Sequence, residues 1–258
     1  MKMFIAGLEF AVKYKDSYKL LYDNRDNFFM LTSFYYLRTN KEMLELIKVW
    51  NKENLLIDSG AFTFQEVGTK GTNIDDYIEE YIKFINDYDI KYFFDMDIDK
   101  DMSEFPKVLK YRERIEKGTG KKCIPVFHEH RGADEFKKMC DNYDYIAYGG
   151  LARGRNAKDF VNKFIKYANS RGVKVHGLGM TRKGFQDIGF YSVDSTSWNG
   201  CRFGDIYYWD DKEKIPKVYR KPKNKRLKTS LIDGIVLQNL NTWYVFQKYL
   251  RKYGIWKV

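Results

Sequence analysis

Leu55-Leu56-Ile57-Asp58-Ser59-Gly60 is apolar for three residues and polar only where it ends. Five further stretches repeat that form: Tyr92-Phe93-Phe94-Asp95, Ile124-Pro125-Val126-Phe127-His128, Tyr145-Ile146-Ala147-Tyr148-Gly149-Gly150-Leu151, Val175-His176-Gly177-Leu178-Gly179 and Phe190-Tyr191-Ser192-Val193-Asp194-Ser195. A short strand that is apolar along its length reads as a parallel strand buried on both faces. Polar groups collected at the C-terminal tips of such strands are the arrangement in which a β/α barrel keeps its active site. One pattern therefore predicts a fold and a site together.

The spacing supports repeated βα units. The tips at Asp58, Asp95, His128, Gly149, Gly177 and Asp194 lie 37, 33, 21, 28 and 17 residues apart, and most of these gaps hold a loop, a helix and the next strand. Met43, Leu44, Ile47 and Trp50 share one face of a helix predicted over 41–50. Asn73 is placed to cap a helix running to about Tyr88, with Ile74, Tyr77, Ile78, Tyr81, Ile82 and Ile85 at helical spacing. Ser103 opens another, closed by Gly118 and Gly120, and two more are predicted over 133–143 and 157–170, with a short one near 183–187. Strands are also predicted at 3–7 and 28–34. The expected fold is α/β, a (β/α)8 TIM-type barrel forming a single domain over residues 1–258. A doubly wound sheet is the alternative, without a glycine-rich dinucleotide fingerprint to support it.

Past Asp194 the pattern changes. Residues 205–228 are rich in Lys, Arg, Tyr and Trp, and 217–228 is the densest basic stretch. A final amphipathic helix is expected over 239–253, packing Leu240, Trp243, Tyr244, Phe246, Tyr249 and Leu250 onto the barrel. The 205–258 region is thus read as a basic segment and packing helix within the same domain.

The chain has 258 residues, 44% of them apolar, enough for one full barrel core. Its 46 Lys and Arg against 35 Asp and Glu give a net charge of +11, which favours a polyanionic partner through counterion release. Cys123, Cys140 and Cys201 have neither disulfide-framework nor metal-cluster spacing, so reduced thiols are the expectation. No signal peptide or membrane-length apolar run is visible, and a cytoplasmic, membrane-free protein is expected.

As an ordered set, the tips resemble the tRNA-guanine transglycosylase superfamily. Asp58-Ser59-Gly60-Ala61-Phe62 is similar to that family's D-S-G-G-F segment, Phe94-Asp95 to its F-D-E, and Gly149-Gly150-Leu151-Ala152 matches its G-G-L-A. Leu178-Gly179 stands for its M-G, and Val193-Asp194 with Asn199-Gly200 for its F-D and N-G. The similarity spans about 55–204. The family's zinc site of clustered cysteines and a histidine has no counterpart beside Cys201, its glutamine after D-S-G-G-F is Thr63, and its V-Q-G tip becomes Phe127-His128-Glu129. These departures and the short length resemble the mostly phage-borne DpdA-type DNA guanine transglycosylases, which replace guanine in DNA by a 7-deazaguanine base. The site of action would then be the host cytoplasm.

The resemblance implies roles. Asp194 is the nucleophile and Asp58 the general acid and base of a double displacement with retained configuration. Ser59, Asp95, His128, Gly149, Gly150, Leu151, Leu178 and Met180 bind the base, with Asp95 on its Watson–Crick edge. Lys221, Lys223, Lys225 and Arg226 are expected on the nucleic-acid backbone. The partners would be DNA, with tRNA as the alternative, and a free 7-deazaguanine base. The chemistry calls for no cofactor. His128-Glu129-His130, with Asp95 and Asp97 nearby, also fits a metal-dependent barrel hydrolase, and a basic surface alone fits a non-catalytic nucleic-acid-binding protein. His176 reads as a satisfied interior histidine.

Overall fold

The computed structural model describes residues 1–67, 73–149, 157–181, 187–222 and 231–254. Strands β1 (Lys2–Ala6), β2 (Met30–Ser33), β3 (Leu55–Asp58), β4 (Val126–His128), β5 (Tyr145–Gly149), β6 (Lys174–Gly177) and β7 (Ser192–Ser195) form one sheet in the order β3-β2-β1-β7-β6-β5-β4. Every neighbouring pair is parallel. The fold is therefore mixed α/β with a curled, seven-stranded parallel sheet.

Its two edge strands, β3 and β4, are consecutive in the chain, and segment 92–95 between them bonds to both sides. Ile57 N donates to Tyr92 O at 3.0 Å and Phe94 N to Ile57 O at 2.9 Å. On the other side Ile124 N donates to Phe93 O at 2.7 Å and Asp95 N to Ile124 O at 3.3 Å.

The strands alternate between two apolar environments, as their period of two requires. Phe4, Ala6, Leu31, Leu56, Phe94, Val126 and Ala147 meet on the concave side. Their neighbours Met3, Ile5, Met30, Ile57, Phe93 and Phe127 join the larger cluster shared with the helices. Those helices are α1 (Lys15–Asp23), α2 (Phe34–Leu37), α3 (Lys41–Val49), α4 (Ala61–Val67), α5 (Ile74–Asp87), α6 (Phe105–Thr119), α7 (Gly132–Asn142), α8 (Ala157–Ser170) and α9 (Ile232–Tyr253). In α5 the expected cap is present, Asn73 accepting from Asp76 N at 2.8 Å, and Tyr77, Ile78, Tyr81, Ile82 and Ile85 are all buried.

Three expectations change. The helix predicted from Ser103 begins at Phe105, because Ser103 bonds its hydroxyl and amide to Asp101 rather than capping. The region read as a basic segment contains an antiparallel hairpin, β8 (Ile206–Asp210) with β9 (Ile215–Tyr219). Its Ile, Val, Tyr and Trp residues are strand formers whose pattern the charge obscured. Helix α9 starts at Ile232, not near 239. Two buried amides on α9 fasten it. Gln247 donates to Met3 O and Phe29 O and accepts from Phe29 N, all between 2.8 and 2.9 Å. Asn239 donates to Trp198 O at 2.8 Å and accepts from Tyr207 N at 2.8 Å. The short helix predicted near 183–187 falls almost wholly outside the described residues. Among the described residues, no helix is long and apolar enough to cross a membrane.

Asp95 faces the helical layer. It is 0% exposed, its Oδ2 accepts from Arg112 Nε at 2.8 Å, and its Oδ1 accepts from Val126 N at 2.9 Å. Arg112→Met strands a buried carboxylate and should cost about 3–5 kcal/mol in equilibrium urea unfolding. Adding Asp95→Asn should recover part of that loss. A single variant as stable as wild type would show the pair to be energetically idle.

Candidate active site

Because the strands are parallel, their C-terminal ends gather Asp58 (β3), His128 (β4), Gly149 (β5) and Asp194 (β7) on one side of the sheet. Asp97 arrives there from the loop after segment 92–95. Asp58 and Asp194 sit at inward-facing positions of the period-two alternation, above the concave apolar cluster.

Asp58 is half-buried at its tip, and its Oδ2 accepts from Gly60 N at 3.1 Å. Gly60 has φ +80°, and a side chain there would lie 2.6 Å from Tyr35 Cβ and 2.8 Å from the Tyr77 hydroxyl. Glycine is thus required for the turn that brings the amide back onto the carboxylate. Burial pushes the Asp58 carboxyl up to about 7, and the negative charges of Asp97 and, more weakly, Asp194 add to the effect. A carboxylic acid poised near neutrality is suited to give and take a proton. Burial also raises Asp97, against a bond from His128, whose Nε2 lies 2.9 Å from Asp97 Oδ2.

Asp194 is held differently. Its Oδ1 accepts from Gly179 N at 2.7 Å and lies 3.2 Å from His176 Nε2. Two carboxyls whose environments differ this much, close enough for their charges to interact, can take opposite roles in one reaction. A second histidine pair flanks the site. His130 Nε2 lies 2.8 Å from Asp99 Oδ2, and Arg131 Nε donates to the same oxygen at 2.7 Å. The rings of His128 and His130 stack at 5.7 Å. Each of these histidines therefore already commits a nitrogen to its own aspartate. Among the described residues, no three His, Cys, Asp or Glu side chains are grouped to hold a metal ion.

The other anticipated residues divide. Leu178 packs on the concave cluster beneath the site. Gly149 is where a side chain would strike Val126 Cγ1 at 2.7 Å and His128 Cε1 at 3.0 Å, so its smallness makes room for the His128 ring. Ser59 is buried, its Oγ accepting from Ala61 N at 3.4 Å in the turn that leads into α4. Met180 belongs to the helical layer, with 2% exposure. Asp95, as above, has both oxygens engaged there. An alternating strand sends every second side chain outward, and Asp95 lies one position out of phase with Phe94, as Ser59 does with Asp58, while Met180 lies beyond the end of β6. Gly150, Leu151, Lys223, Lys225 and Arg226 lie outside the described residues. Lys221 is described, its side chain packed over Gly204.

In the sequence, Asp97 enters only with the metal-hydrolase reading and His176 only as a satisfied interior histidine. Around the rim, Phe62 follows β3 at 77% exposure and Phe203 follows β7 at 76%. Beside the latter, Lys13 Nζ and Arg202 Cζ lie 4.1 and 5.2 Å from the centre of the Phe10 ring.

No protein-family model matches this chain, and no curated protein is similar enough to count as a match. Among solved structures, a protein assigned as a sugar phosphate isomerase/epimerase from Anabaena variabilis aligns at 10% identity over 96% of this chain and 99% of that one, with a TM-score of 0.37. A likeness at that score carries no weight for fold or function.

Proposed function

We propose that the chain is a DNA guanine transglycosylase, an enzyme that exchanges guanine in DNA for a 7-deazaguanine base through a covalent aspartyl intermediate. The observation that carries this is the pairing of Asp58, protonated near neutral pH, with Asp194, whose Oδ1 is gripped by a backbone amide and a histidine. Segment 92–95 is taken as the remaining strand, so that its bonds to β3 and β4 complete a closed (β/α)8 ring with the carboxylates at its mouth.

In the first displacement Asp194 attacks the anomeric carbon of the target nucleotide. The glycosidic bond breaks, and guanine leaves as a neutral base by taking the Asp58 proton at N9. In the second, the entering 7-deazaguanine gives its N9 proton to the Asp58 carboxylate and its nitrogen displaces Asp194 from the same carbon. Configuration is retained, because each step inverts. Asp97, with His128 behind it, takes the base-edge role that Asp95 is not placed to fill, and Leu178 supports the base from below.

The target nucleotide has to leave the duplex stack for an in-line attack. Exposed Phe62 and Phe203 offer stacking faces for its neighbours. Lys13, Arg202 and the basic run containing Lys221, Lys223, Lys225 and Arg226 would neutralise phosphates. A tRNA substrate would use the same chemistry.

The test is mass spectrometry of nucleosides digested from DNA and from tRNA after incubation with the protein and 7-cyano-7-deazaguanine. The modified deoxynucleoside is expected from DNA only. Modified tRNA alone would move the substrate, and neither product would reject the activity.

A further inference from the structure

A chain of buried hydrogen bonds runs behind Asp194 across three adjacent strands. The Tyr145 hydroxyl on β5 lies 2.6 Å from Ser192 Oγ on β7. Ser192 Oγ lies 2.7 Å from His176 Nδ1 on β6, and His176 Nε2 lies 3.2 Å from Asp194 Oδ1. His176 and Ser192 are register partners, so the sheet itself sets their approach. The imidazole is 0% exposed, with its ring centre 6.0 Å from that of Phe4 and 5.4 Å from that of Phe94.

We propose that His176 is a positioning residue for Asp194, locked by Ser192 and Tyr145 in the tautomer that donates from Nε2. With a neutral imidazole facing the Asp194 carboxylate, one order of protons suits all four groups. Burial pushes the Tyr145 hydroxyl well above its ordinary range, so it keeps a proton to donate. Ser192 then accepts from Tyr145 and donates to Nδ1, which leaves the His176 proton on Nε2, facing Asp194. The reverse order would set a nitrogen lone pair against a carboxylate oxygen. Gly179 N donates to that same Oδ1, so both described bonds converge on one oxygen and turn the other, Oδ2, toward the position of the anomeric carbon.

This rests on Asp194 being the nucleophile proposed above, but its main test does not. In the 15N-histidine NMR spectrum of the intact protein, His176 should show a protonated Nε2 and an unprotonated Nδ1 at neutral pH, and Ser192→Ala should erode that preference. A proton on Nδ1, or on both nitrogens, would overturn the proposal, whether or not the protein exchanges bases.

The kinetic test follows where exchange is measurable. His176→Leu should lower kcat by about 100-fold, the usual penalty for a reacting group displaced by an ångström, while KM for DNA stays within about twofold. His176→Gln should recover much of that loss, because its amide can donate to Asp194 and accept from Ser192. Equal kcat in His176→Leu and wild type would also overturn the proposal. Absence of exchange in the wild type would count against the activity alone. Should His176→Leu fail to fold, the glutamine variant and the tautomer measurement still decide.

Discussion

Asp194→Asn is expected to abolish base exchange, with a loss of about 10⁴-fold or more, as when a covalent nucleophile is removed elsewhere. The substitution is close to isosteric. An asparagine oxygen can still accept from Gly179 N and from His176, so the loop after β6 keeps its anchor. What is lost is the anionic oxygen that, in the proposed mechanism, bonds to the sugar. Thermal unfolding and DNA affinity should therefore stay near wild type while incorporation of labelled guanine falls to background. No covalent protein–DNA species should survive denaturing electrophoresis. Incorporation at the wild-type rate would remove Asp194 from the mechanism.

Asp58→Asn should slow exchange by about 10²–10⁴-fold, the range for general acid–base catalysis, and should stabilise the protein above neutral pH. The sign follows from where the proton sits. The folded carboxyl titrates at about 7, the unfolded one at its ordinary 3.8, so between these values the folded state holds more protons. Stability contributed by this group is complete below pH 4, declines as the pH rises to 7, and stays low beyond. An amide escapes that penalty. With Asp58 only half-buried, a gain of about 2 kcal/mol at pH 8 is reasonable, or roughly 5 °C in Tm for a chain of this size. The gain should vanish at pH 4. An identical difference in Tm at the two pH values would mean that Asp58 carries its ordinary charge in the fold.

The strands and their direction were legible because each run was uniformly apolar with one polar end. That single regularity placed Asp58, His128, Gly149 and Asp194 at one end of the sheet. It was a poorer guide to which way a side chain points at the tip itself. Asp95 and Ser59 sit beside residues of the right phase, yet one is bound to Arg112 and the other to the amide of Ala61. Sequence distance also concealed partnerships. His176 read as a satisfied interior residue, and it is satisfied, but by the carboxylate of Asp194, 18 residues away. The hairpin β8–β9 was hidden by its own lysines, since a count of charges says nothing of alternation along a strand. The buried amides Asn239 and Gln247 left no pattern at all, because a polar residue on an apolar helical face looks the same whether it is bonded or misplaced.

The bonds from Gln247 to Met3 and Phe29 set a timetable for synthesis. Strand β1 is made about 190 residues before its sheet partner β7, and its helical anchor comes later still. Until α9 emerges, a nascent chain holds β1 and β2 with one flank open, and contacts of such long sequence separation form slowly. Asp194 reaches its place against β1 only in that last stage.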